Sequence, residues 1–155
     1  NVALFAGHGI FTAAELTSRQ EIHYETYAKC IRIEAATMVE MVRREILPAG
    51  QAALRELGQT SRAKQEISPL LSCKAEELLG TQVANYNDML LAGCTVLENL
   101  LREFPKGSEE QKALYSRDKL LPAMAELRQA ADALEQMCPA HLWTMPTYGE
   151  LLYGV

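Results

Sequence analysis

An all-α fold, drawn out into an elongated antiparallel bundle of three to four long helices, is what this sequence predicts, and three observations predict it. Residues 23–49 set Tyr24, Tyr27, Ile31, Ala35, Met38, Val42 and Ile46 at steps of three and four, the spacing that lines one face of a helix. Two further runs repeat that spacing, one from Leu71 to Phe104 and one from Leu114 to Met137. The composition agrees: 48% of the 155 residues are apolar but only 6% aromatic, so the core has to be built from Leu, Ala, Met and Val, as helix packing favours.

Residues 1–11 form an apolar lead-in, and Thr12 with Glu15 has the spacing of a capping box that starts the first long helix. That helix is expected to run to Leu47, where Pro48 removes a backbone donor and crowds the preceding turn, so that Pro48 and Gly50 kink or end it. Helical character returns over 51–57, and 58–68 is the stretch expected to be least regular. Ser68 and Pro69 are a cap and a first-turn proline, which predicts a second rod from there to Phe104 with Gly80 and Gly93 inside it, tolerable where they allow close helix contact. Pro105 and Gly107 break the pattern. Ser108, Glu109 and Glu110 then begin a third rod, kinked at Pro122. Three rods of similar length, each apolar on one face, are expected to bury those faces together as a bundle over residues 12–138, within a single helical domain that takes in residues 1–155. Residues 139–155, with Pro139, Pro146, Gly149 and Gly154 among aromatics, read as an irregular tail.

Charge and motif content exclude several function classes. The net charge of −5 comes from 15 basic and 20 acidic residues interleaved along the chain, whose densest basic cluster in sequence is only Arg43-Arg44, so no nucleic-acid partner is expected. No run of roughly 18 apolar residues could span a membrane, and the first residues lack the pattern of a signal peptide, so a cytoplasmic protein is expected. Cys30, Cys73, Cys94 and Cys138 have neither a CxxC pair nor a zinc spacing and are expected to be free thiols. The apolar character of both ends, Val2, Leu4 and Phe5 at one and Leu151, Leu152 and Tyr153 at the other, suggests a piece of something larger.

No reactive constellation emerges. His8, His23 and His141 never stand four apart, no Glu-x-x-His occurs, and neither a phosphate loop nor a nucleophile elbow is present, so no catalytic, cofactor-binding or metal residue is assigned. Glu34, bordering the first stripe, is expected to form a structural ion pair with a basic residue of a neighbouring helix. Trp143, Pro146, Tyr148 and Leu151 concentrate large groups in the tail and read as docking contacts onto the bundle or a neighbour.

Three strings together carry a resemblance: EIHYETYAKCIRIEAATMVEMVRREILPA at 21–49, LLPAMAELRQAADALE at 120–135 and LWTMPTYGELL at 142–152. With the lead-in LF...GIFTAAEL..R, the chain resembles the C-terminal region of type III glutamine synthetases over nearly its whole length. The resemblance implies a parent enzyme that ligates ammonia to L-glutamate with ATP and Mg or Mn, and that assembles as a homo-oligomer of stacked hexameric rings. It also implies that the catalytic motifs lie outside these residues. The cofactors would then belong to the parent alone, and the partner of this region would be the catalytic domain of the same chain, with a structural, assembly or regulatory role. Two other classes stay open on the residues themselves. One is a free-standing helical adaptor working through Met- and Leu-rich faces, and the other a small bundle enzyme using Glu34 and His23.

Overall fold

In a computed structural model of the chain, which describes residues 2–146 and 148–154 and leaves the Tyr148 side chain undescribed, the Thr12 capping box forms. The Thr12 hydroxyl accepts from the Glu15 N–H at 3.2 Å, and the Glu15 carboxylate accepts from the Thr12 N–H at 2.7 Å. Ahead of it lies a short helix, α1 (Val2–Gly7), and behind it α2 (Ala13–Met41). The helix does not stop at Pro48. A wide π turn, Val42–Ile46, carries α2 directly into α3 (Leu47–Ile67), with the Leu47 N–H donating to the Val42 carbonyl.

This turn is the physical answer to the proline. In α geometry the Pro48 ring would press on the carbonyl four residues back and leave it without its donor, whereas a turn widened by one residue relieves that crowding. The third rod repeats the device: α5 (Glu109–Tyr115), a π turn over Ser116–Leu120 and α6 (Leu121–Glu135), with the Leu121 N–H donating to the Ser116 carbonyl one residue before Pro122. Residues 58–67, expected to be irregular, are therefore a regular continuation of α3.

The second rod, α4 (Lys74–Arg102), starts later than the Ser68–Pro69 signature suggests. Ser68 closes α3 instead: its backbone is extended, its N–H donates to the Lys64 carbonyl, and its hydroxyl accepts from the Leu70 N–H at 3.2 Å. Ser108 does begin α5, in a reciprocal cap with Gln111.

The rods are unequal in length. The first runs unbroken from residue 13 to 67, nearly twice the length of α4. Lys64 pairs with Glu76 and Arg43 with Glu98, so α4 runs antiparallel to the first rod. Tyr115 donates to the Leu100 carbonyl and Gly93 lies against Leu127, so the third rod is antiparallel to α4 and parallel to the first. Their shared core includes Ala35, Val42 and Ile46 from the first rod, Leu90 and Leu97 from the second, and Leu120, Leu127 and Leu134 from the third. All three rods feed one contiguous cluster, the kind of core with which a domain folds by itself. The first stripe is turned slightly from its expected setting: Ala28 is buried where Tyr27, 37% exposed, was expected inside.

Glycine serves close approach at Gly93 and Gly50. A methyl on Gly93 would sit 2.9 Å from Leu127 Cδ1, whereas one on Gly80 would meet only Leu54 at an ordinary 3.9 Å.

Candidate functional site

An apolar concavity lies between the first and third rods, where the tail returns over them. After α6 the N–H groups of Met137 and Cys138 both donate to the Leu134 carbonyl, and Pro139 turns the chain into a single 3-10 turn, Ala140–Leu142. His141 Nε2 then lies 3.0 Å from the Glu56 carboxylate on α3, and the Thr144 hydroxyl donates to Glu45 on the π turn. These contacts lead the segment back along the first rod and set Trp143 and Met145 against the core.

The resulting groove encloses about 420 Å³ and is lined by Met38, Met41, Met124, Trp143 and Met145, with Arg128 and Glu135 on its rim. Four thioethers and an indole make a soft, adaptable surface that suits an apolar side chain or small apolar group. Pro146 and Leu151 extend the wall on the Met41 side. Among the expected docking residues, Trp143 is therefore half-buried on the chain's own bundle, Leu151 is 67% exposed, and the Tyr148 side chain lies outside the described residues.

Glu34 is exposed on α2, and none of the ion pairs among the described residues includes it. Ile31 and Ala35 turn inward beside it while its own position on the turn faces water, so it has no burial for a partner to offset. The pairs that tie rods together are Arg43–Glu98 at 2.8 Å and Lys64–Glu76 at 2.6 Å. Hydrogen bonding from Lys64 holds the Glu76 carboxyl below the usual carboxylate range. Neither pair was read in the sequence; the available signal was a charge flanking each apolar stripe, which points to many partners equally well.

All four cysteines are free thiols: Cys30 is exposed, Cys94 is buried, and burial pushes the Cys94 and Cys138 thiols up. His8, His23 and His141 are exposed and far apart in the chain. Among the described residues no three His, Cys, Asp or Glu side chains converge to hold a metal ion. No helix among those residues is long and apolar enough to cross a membrane.

Comparison with known proteins gives the chain its relatives. Residues 1–65, which hold α1 and nearly all of the first rod, match the family model of the glutamine synthetase C-terminal domain. The whole chain aligns with a glutamine synthetase of Butyrivibrio fibrisolvens at 33% identity, covering 22% of that protein. A type-3 glutamine synthetase of Dictyostelium discoideum is 28% identical over 99% of the chain, again 22% of the relative's length. A glutamine synthetase of Bacteroides fragilis is 21% identical over 97% of the chain. The chain thus spans about a fifth of the curated relatives it matches. No solved structure matches it.

Proposed function

Because the chain is a C-terminal domain of the glutamine synthetase family, we propose that it serves as the noncatalytic helical region of a type III enzyme. In this reading its role is structural: it docks on the catalytic part of the same polypeptide and supports a homo-oligomeric assembly. The parent reaction, ligation of ammonia to L-glutamate with ATP and Mg or Mn, is carried by residues outside this chain.

The breadth of the match supports this reading most. One hundred per cent of the chain aligns with a relative of which it covers 22%, so it corresponds to one region of a longer enzyme. Apolar side chains at both extremities of the first rod give that region something to bury. Val2, Leu4, Ile10 and Ile22 are exposed at one end, and Ile67, Leu70, Leu71 and Leu78 at the other. Exposed apolar side chains gathered at the ends of a rod are what a protein contact would bury.

The test compares the full-length parent with a version ending before this region. Glutamine formation and mass by light scattering are measured for both. The reading expects the truncated protein to lose the parent's oligomeric state, and the isolated chain to form no glutamine from glutamate, ammonia and Mg-ATP. Unchanged assembly on truncation, or turnover by the chain alone, sinks it.

A further inference from the structure

A second concavity has a different chemistry. It lies where α2 enters the bundle, against the end of α4 and the connection into α5, and encloses about 480 Å³. Five cations line it: Lys29 and Arg32 from α2, Arg102 from α4, Lys106 from the connection and Lys112 from α5. Two carboxylates, Glu25 and Glu109, face them. An excess of three positive charges around one cleft stands out in a chain whose net charge is −5.

The internal pairing leaves that excess in place. Lys29 donates to Glu25, and Lys112 donates to Glu109 at 2.6 Å, so each carboxylate already has its own lysine. Arg32 has a ring instead of an acid, its guanidinium 5.5 Å from the centre of Phe104, and Arg102 donates only to the neutral Asn99 amide at 3.1 Å. Lys106 has no partner among the described residues. Leu101, Phe104 and Pro105 give the cleft an apolar wall.

The geometry points to a binding site for a small phosphate-bearing polyanion, held by Arg102, Lys106 and Arg32 with Lys29 and Lys112 behind them. Guanidinium forks match phosphate oxygens in pairs and the lysines add point charge. A concavity of this volume is within the range that encloses small ligands, and cations drawn from three elements into one hollow favour a compact anion over a flat protein surface. This site contains none of the contacts on which the family reading rests.

Calorimetric titration of the chain with inorganic pyrophosphate and, separately, with ADP, both in a chelator and at low salt, tests the proposal. Saturable binding is expected that weakens as salt is raised. In Lys106→Glu and in the double variant Arg102→Glu/Lys106→Glu the affinity should fall about tenfold per charge reversed. Both positions are exposed, and an unchanged melting curve shows that the variants are folded. Tighter binding of ADP assigns an organic phosphate lying on the Phe104 wall, and equal binding assigns the inorganic ion; either result keeps the site. No saturation with either probe, or binding that the reversals leave untouched, overturns it and makes the cleft a seat for acidic side chains of another protein surface.

Discussion

Gly50 on α3 and Asn87 on α4 meet so closely that a methyl group on Gly50 would lie 2.2 Å from Asn87 Oδ1 and 3.0 Å from Leu134 Cδ2. Neither polar atom of the Asn87 amide has a hydrogen-bond partner where it is buried. The crossing is thus tight and carries an unsatisfied amide, a cost of about 1–3 kcal/mol that the surrounding packing offsets.

Gly50→Ala is expected to destabilise the chain. Overpacking a filled site costs about 1–3 kcal/mol, more than the roughly 1 kcal/mol that alanine returns in helix propensity. Asn87→Ala clears the same space and removes the orphaned amide, so the double variant should melt above Gly50→Ala alone. Denaturant titrations of the two singles and the double measure the coupling; additive effects would mean that the residues do not meet.

Acid should weaken the α3–α4 hairpin through Glu76. Its carboxyl titrates below the ordinary value near 4.3 because Lys64 hydrogen-bonds to its charged form. A folded-state value depressed in this way contributes stability above the unfolded value, and the contribution disappears as pH falls through the folded one. Melting temperature should therefore drop below about pH 4.3, and by less in Glu76→Gln. An equal drop in both proteins would remove Glu76 from the account.

Thiol labelling should separate Cys30 from Cys94. Cys30 is exposed, whereas Cys94 is buried and burial raises its thiol's titration point, so at neutral pH a disulfide reagent should react first at Cys30. Cys94 is expected to label only as fast as the bundle opens, and denaturant should bring it level. Rapid labelling of Cys94 in the folded protein would contradict the packing of α4.

The returning tail can be read through its indole, since Trp143 is the single tryptophan. Trp143→Ala removes a wall of the methionine groove and, for a half-buried aromatic, should cost about 1–3 kcal/mol, less than a fully buried one. Thr144→Ala removes the hydrogen bond to Glu45 and should shift the Trp143 emission toward that of exposed indole with little change in melting. Unchanged emission would mean that this bond does not hold the tail.

Much of the fold was legible because its signals are local. Thr12 and Glu15, or Ser108 at the head of α5, complete their caps within one turn of chain, and the apolar spacing fixes which faces turn inward. Pro48 does not end the helix, one of the two outcomes expected of it, because the rule that proline breaks a helix presumes α geometry, and nothing in its neighbours announces a π turn. Ser68 and Pro69 carry a helix-start signature, but the turn they open, with the Leu71 N–H donating to the Ser68 carbonyl, does not continue, and α4 begins only at Lys74. The methionine groove could not be foreseen, since Thr144 finds Glu45 across 99 positions of sequence. Glu34 failed for a simpler reason: being next to a stripe in sequence says little about which side of the turn faces solvent.

The unbroken course from Ala13 to Ile67 turns the wide turn at Val42–Ile46 into something mechanical. With no loop between its ends, this strut of roughly 80 Å couples the position of Ala13 to that of Ile67. Whatever grips the two tips is held at a set spacing and angle, as by a ruler with a handle at each end.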